Sequence, residues 1–396
     1  EREAAITAAL VRAPNASSAQ VARRACGVLR EMQAAGSSAA APAATDCDAL
    51  ALLASGTLAR RAFVASEGIA PHFARRALAA LPAGSPPPAR LTTTLRAPLQ
   101  RFAVQTLSQQ LRELAGRNVQ DGSIVVLDNA SGEVLAWVGS SGELSQAGEV
   151  DAVLARRQPG STLKPFLYAQ AIDQHRLTAA SLIDDSPAHI ATAGGLYIPQ
   201  NYDLHFKGWV SARTALASSL NVPAVRTLAM VSPDAFFQEL QALGLELRES
   251  GGYYGLSLAL GSSEVTLLQL ANAYRALANG GRLSAVAPPL VRVKPQPPKW
   301  TRVVDPGAAF IVGDILSDPN ARARTFGLDS VLATRFWSAV KTGTSKDMRD
   351  NWALGWSERY TVGVWVGNAA GGAMHEVSGS SGAAPMWAMV MGYLHA

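Results

Sequence analysis

The sequence predicts an α+β fold: an antiparallel sheet flanked by helices, joined to a mainly helical subdomain and preceded by a small helical segment. Three observations predict it. Strand-type runs lie in 122–139 and again in 336–367, a long mainly helical stretch occupies about 161–280 between them, and the first 33 residues carry helical periodicity of their own.

Taken in order, AAITAALV and AQVARRACGVLREM read as two helices joined by a turn at Pro14 and Asn15. Residues 34–45, rich in Ala, Ser, Gly and Pro, read as a linker. A short helical stretch follows, then PAGSPPPAR at 82–90, which cannot continue a helix and marks the main domain boundary. The expected division is a helical segment over 1–35, a linker region with short helices over 36–90, and the main domain over 91–396. LTTTLRAPLQRFAVQTLSQQLREL predicts a short strand leading into an amphipathic helix. GSIVVLD and EVLAWVG flank Asn129-Ala-Ser-Gly132 and predict a hairpin. FWSAVKTG, NWALGW and YTVGVWVG predict three strands, the last two paired across Ser357-Glu-Arg359. APMWAMVMGYLH predicts a closing helix, and the first and last strands are expected in one sheet.

A chain of 396 residues with 48% hydrophobic and 16% charged content has the composition of a globular protein of two or three domains. No apolar run of roughly 18 residues occurs, so no spanning helix is expected. The net charge of +5 rests on Arg, since the chain has only six Lys. Those Arg residues are scattered rather than gathered into a stripe, which argues against nucleic acid as a partner. The opening on Glu1 without Met is read as a fragment of something longer, soluble by itself. No metal-ligand spacing is present, no cofactor motif is found, and no Gly-x-Ser-x-Gly or His-centred nucleophile occurs. Cys26 and Cys47 either pair in an oxidising compartment or stand as two small apolar residues; the sequence leaves both open.

The chemistry-bearing signal is the ordered trio PGSTLK, SSLN and KTGTS. Ser-x-x-Lys occurs twice, at Ser161–Lys164 and Ser338–Lys341. Ser161 follows Pro159-Gly160 and opens a helical run, so Lys164 falls on the same face one turn on. Ser338 sits on a predicted strand, where a step of three residues reaches the opposite face. A serine hydroxyl needs a base, and an amine one turn away serves if burial or a second cation keeps it partly neutral. Lys341 supplies that cation if the two share a cleft. Alone, Ser161 reads equally well as a helix N-cap, Ser219-Leu220-Asn221 as a helix C-terminus stopped by Asn221 and Pro223, and Lys341-Thr-Gly-Thr344 as an edge strand ending in a glycine turn. Functionally, Ser219 would relay a proton to a leaving nitrogen and Asn221 would hold a substrate carbonyl and Lys164. Gly343 would let a substrate backbone approach, and Thr342 and Thr344 with Lys341 would take a terminal carboxylate.

Ser-x-x-Lys, Ser-x-Asn and Lys-Thr-Gly in this order is the signature of the penicillin-binding and serine β-lactamase superfamily. With the flanks RRQPGSTLKPFLYAQAID, PQNYDLHFKGWVSARTALASSLNVPAV, LALGSSEVTLLQLANAYRALANGG and KTGTSKDMRDNWALGWSERYTVGVWVGN, residues 91–396 resemble the class A high-molecular-weight penicillin-binding proteins. The resemblance implies a penicillin-binding transpeptidase domain in which Ser161 attacks D-Ala–D-Ala stem peptides of lipid II-derived strands. It also implies an oxyanion hole of the Ser161 and Thr344 amides, trapping of β-lactam antibiotics at the same serine, and no cofactor or metal. A parent protein anchored at the periplasmic face of the bacterial inner membrane, working with cell-wall synthesis partner proteins, belongs to the same expectation. The first 35 residues resemble the tail of a glycosyltransferase domain whose active-site motifs are not in this sequence. Two alternatives stand beside this reading: a D,D-carboxypeptidase or β-lactamase-like hydrolase, and a weakly acylating scaffold or binding domain.

Overall fold

The computed structural model describes residues 2–12, 16–35, 47–58, 68–82, 84, 88–192, 195–291 and 297–396. The Pro14–Asn15 turn, most of the 34–45 stretch and part of 82–90 fall outside them. Packing divides the chain into two units, Glu1–Val64 and Ala65–Ala396.

The first unit holds α1 (Arg2–Arg12), α2 (Ser18–Ala34) and α3 (Cys47–Thr57). Helix α2 starts on a capping box, in which Ser17 Oγ accepts the Gln20 N–H while Gln20 Oε1 accepts the Ser17 N–H. Ile6 and Ala9 of α1 pack on Val21, Ala25 and Leu29 of α2, and Leu50 and Ala54 of α3 complete the cluster. Cys26 and Cys47 form a disulfide between α2 and α3, their Cα atoms 5.5 Å apart, which answers the pairing question the sequence left open.

The break in packing falls at 64/65, upstream of the Pro-rich stretch expected to carry it. The reason is α4 (Pro71–Ala79), whose Phe73 belongs to the core of the second unit and meets the Trp137 ring at 5.7 Å. The expected strand before the next helix is reduced to one bridge, Thr93 with Leu290. There Thr94 spends its hydroxyl on Val134 O, and α5 (Ala97–Glu113) begins at once with Pro98 in its first turn.

The main sheet is antiparallel, in the order β2-β1-β11-β10-β9: β1 (Asp121–Asp128), β2 (Val134–Val138), β9 (Ala339–Thr344), β10 (Asp350–Trp356) and β11 (Tyr360–Gly367). The early hairpin and the three late strands appear as expected, and β1 pairs directly with β11. The sheet is covered on both faces, which explains its nearly unbroken apolar runs. Ile124 and Val126 of β1 face a cluster with Leu107 of α5 and Trp387 of α14 (Ala384–Leu394). Val125 and Leu127 face the other way, into the core with Leu270 and Tyr274 of α11 (Leu267–Ala278). The strand period of two sorts adjacent residues into separate clusters.

The helical subdomain is built around α6 (Lys164–Asp173), buried from Lys164 to Ile172. Around it lie α7 (Ala212–Ala217), α8 (Asn221–Val231), α9 (Pro233–Ala242) and α12 (Pro306–Ser317), with α10 (Gly251–Tyr254) and α13 (Pro319–Phe326) farther out. Three small ribbons were not legible in the sequence: β3 (Leu182–Asp185) with β6 (Gly208–Ser211), β4 (Ile190–Thr192) with β5 (Gly195–Tyr197), and β7 (Arg282–Leu283) with β8 (Thr301–Arg302). Each strand has two to four residues, too few for alternation to register. Among the described residues, no helix is long and apolar enough to cross a membrane.

Candidate active site

Ser161 sits in a 3-10 turn, Gly160–Leu163, that runs into α6 and puts Lys164 at its first position. The turn is tied down at several points. Arg157 N and O exchange bonds with Val265, Trp352 Nε1 donates to Gln158 O at 2.8 Å, and the buried Tyr274 hydroxyl donates to Thr162 O at 2.7 Å. The last two lock the loop from β10 and α11, neither of which carries a motif residue.

Lys164 is fully buried, and its Nζ donates to three acceptors: Ser219 O at 2.7 Å, Leu220 O at 3.1 Å and Asn221 Oδ1 at 2.7 Å. Lys341, on the edge strand β9, is also buried, and its Nζ donates to Ser219 Oγ at 2.7 Å and to Thr342 O at 2.8 Å. Ser219 thus touches both lysines, one through its carbonyl and one through its hydroxyl. It stands at φ 60° between α7 and α8, a left-handed conformation costing a non-glycine residue about 1–2 kcal/mol. Asn221, expected to stop a helix, opens one: α7 ends at Ala217, and α8 begins at Asn221 with Pro223 in its first turn.

Burial pushes the Lys164 ammonium well below the usual lysine range, helped by the Lys341 charge and opposed by Asp185. Burial also brings Lys341 down to about 7. An amine with depressed basicity one turn from a serine is what a general base for that serine requires.

The KTGT strand is held tightly against the serine turn. Gly160 has φ +56°, and a methyl group there would stand 2.6 Å from Thr344 O and 3.0 Å from Thr344 N. A methyl group on Gly343 would collide with Pro159 O and come within 2.8 Å of Thr162 Cγ2. Gly343→Ala is therefore expected to force β9 and the serine turn apart and, if Ser161 is a nucleophile as its surroundings suit, to lower its rate of acylation by about 10²-fold in a chain that still folds. Stopped-flow acylation with circular dichroism checks this, and a parental rate would mean the contact has slack. Strand alternation sends Thr342 and Thr344 to the face opposite Lys341, where Gly379 N donates to Thr344 Oγ1 at 3.0 Å. The expected carboxylate trio thus does not converge from one face of β9.

The second Ser-x-x-Lys is set apart. Ser338 precedes β9 and shares a 2.8 Å hydrogen bond with Thr334 Oγ1, while Lys341 reaches Ser219. Two residues that sequence reasoning passed over, Asp185 and Asn201, adjoin the site. Asn201 lies in a flank quoted above, and only its capping bond to Asn221 N at 2.9 Å marks it. Among the described residues, no group of three or more His, Cys, Asp or Glu is placed to hold a metal ion.

Comparison with known proteins decides the family. The penicillin binding protein transpeptidase domain matches residues 122–387, which contain the serine turn, Asn221 and the whole of β9. The chain belongs to the penicillin-binding protein transpeptidase family. It is 36% identical over 324 residues to penicillin-binding protein 1C of Escherichia coli K12, covering 80% of this chain and 39% of that protein. The segments STLKPFLYA and VSGSSGAAPMW of this chain by themselves resemble the 1C type, and this match bears that resemblance out. Penicillin-binding protein 1A of Neisseria meningitidis serogroup A is 32% identical over 286 residues, covering 67% of this chain and 35% of that one. The chain thus spans well under half the length of these relatives. The penicillin-binding protein PonA1 of Mycobacterium tuberculosis, solved in complex with penicillin V, superposes with a TM-score of 0.63 at 22% identity, covering 76% of this chain and 84% of that one. That likeness speaks for the fold. The family is one of β-lactam-binding peptidoglycan transpeptidases, and this chain carries its acyltransferase domain.

Proposed function

We propose that the chain is a serine D,D-transpeptidase whose nucleophile is Ser161. The observation that carries this reading is the pair of buried lysines joined through Ser219, one of them a turn away from Ser161. An ammonium fills all three of the Lys164 hydrogen bonds; on losing a proton Lys164 keeps two of them, and its freed lone pair takes the Ser161 proton as Oγ bonds to the carbonyl carbon of a D-Ala–D-Ala stem peptide. The Ser161 and Thr344 amides receive the developing oxyanion. The C–N bond breaks, and the D-Ala amine leaves with a proton returned through the Ser219 hydroxyl. An amine from a neighbouring stem then attacks the acyl-enzyme, restoring Ser161. Asn221 holds Lys164 and meets the substrate amide. Lys341 takes the terminal carboxylate at the edge of β9, with Thr342 and the Thr344 O–H, and Gly343 admits the peptide backbone. β-Lactams acylate the same serine, and the parent protein works on lipid II-derived strands at the periplasmic face of the inner membrane.

Intact-mass measurement after incubation with benzylpenicillin tests the reading. A persistent gain of the whole drug mass is expected. Rapid drug turnover without accumulation would favour the hydrolase alternative, and no adduct with any β-lactam would overturn the acyl-enzyme.

A further inference from the structure

Asp185, the last residue of β3, is a carboxylate with no exposure to solvent, and among the described residues it forms no ion pair with Lys or Arg. Amide donors satisfy it instead: Asn201 Nδ2 at 2.9 and 2.8 Å from its two oxygens, and Lys207 N at 2.9 Å. A carboxylate can only accept, so the Asn201 amide must turn its NH2 toward Asp185 and its oxygen the other way. That oxygen accepts from Asn221 N at 2.9 Å and Val222 N at 3.4 Å, the first two N–H groups of α8. Helix α8 has no side-chain cap of its own, because its N-cap is Leu220. Asn201 supplies that cap from a separate loop, and its neighbour Gln200 accepts Asn221 Nδ2 at 2.9 Å. With Nδ2 held there, Asn221 can aim only its Oδ1 at Lys164 Nζ.

We propose that Asp185 and Asn201 are positioning residues, which orient Asn221 and through it Lys164 for proton transfer from Ser161; this rests on the serine transpeptidase reading above. The relay runs from Asp185 to Asn201, from there to Asn221, and ends at the Lys164 ammonium. Asp185 also acts on Lys164 by charge. The groups facing Lys164 are the Lys341 cation from β9, the Asp185 carboxylate from β3, and the neutral carbonyls of Ser219 and Leu220 with the Asn221 amide; Tyr168, one turn on in α6, is buried and neutral. Asp185 is the one anion among them and opposes the effect of Lys341.

The test compares benzylpenicillin acylation in the parent, Asp185→Asn and Asn201→Ala chains across pH, separating drug binding from the acylation step. In Asp185→Asn the acylation step is expected to slow on the order of 10-fold, as for other groups that orient a reacting side chain, with drug binding little changed. Its acid limb should move to lower pH, because losing a negative neighbour disfavours the Lys164 ammonium. Asn201→Ala should slow the same step, and because it strips Asp185 of two of its three hydrogen bonds, any movement of its acid limb should be toward lower pH and no larger than in Asp185→Asn. Both variants losing thermal stability while keeping the parental acylation rate and pH profile would make the pair structural only and overturn the proposal. If Asp185→Asn does not fold, Asn201→Ala decides by its rate alone. A parent chain that forms no adduct refutes the serine reading instead, before any variant is compared.

Discussion

Ser161→Ala is expected to keep its unmodified mass in excess benzylpenicillin, while Ser338→Ala gains the drug as completely as the parent. Both serines lie three residues before a lysine, so sequence spacing alone makes them equal candidates. Their backbones separate them. Ser161 lies in a turn that feeds directly into α6, where three residues make one turn and Lys164 comes round to the same side. Ser338 leads into extended β9, pairs its hydroxyl with Thr334, and has its lysine drawn across the cleft to Ser219. The expected effect is complete loss against no loss, read by intact mass. Drug uptake by Ser161→Ala, with none by Ser338→Ala, would reverse the assignment.

Lys164→Met, which keeps the buried stem and removes the amine, is expected to slow acylation by about 10³-fold, within the range for loss of a general base. The parent should show an acid limb, because only neutral Lys164 accepts the Ser161 proton. Burial and the Lys341 charge hold that limb below the ordinary lysine range. Burial brings the Lys341 ammonium down to about 7 as well, so its charge is fullest on the acid side. Lys341→Met therefore removes a positive neighbour in the acid range. The Lys164 ammonium becomes more favourable, and the acid limb moves to higher pH. Drug binding is expected to weaken in the same variant, because the proposed mechanism gives Lys341 the drug carboxylate. The pH dependence of acylation measured by stopped flow checks both statements. An acid limb that stays put in Lys341→Met would mean that the two lysines do not sense each other.

Local patterns made the sheet legible. The hairpin around Asn129–Gly132 and the paired runs at 351–367 have strand length, turn residues and β-branched content, and each lies where it was expected. The small ribbons were not legible, because strands such as Leu182–Asp185 have too little sequence to show a period. The same limit hid Asp185. Two adjacent aspartates, Asp184 and Asp185, look alike in a string, yet one is half-exposed beside Arg226 and the other is sealed against Asn201. The Pro-rich stretch drew the domain boundary to 82–90 because composition reports stiffness, whereas the boundary depends on where Phe73 packs.

By itself the sequence determined which residue types are available, their order, and the one-turn step from Ser161 to Lys164, since these depend on neighbours along the chain. Tertiary structure decided what that chemistry can do. The meeting of Lys164 and Lys341 on Ser219 joins residues 164, 219 and 341, and no local rule relates them. Neither does any local rule exclude water from both amines; that takes the walls of α6, α8 and β9 together. The depressed basicity of the two lysines follows from that burial, so it belongs to the fold rather than to the motif.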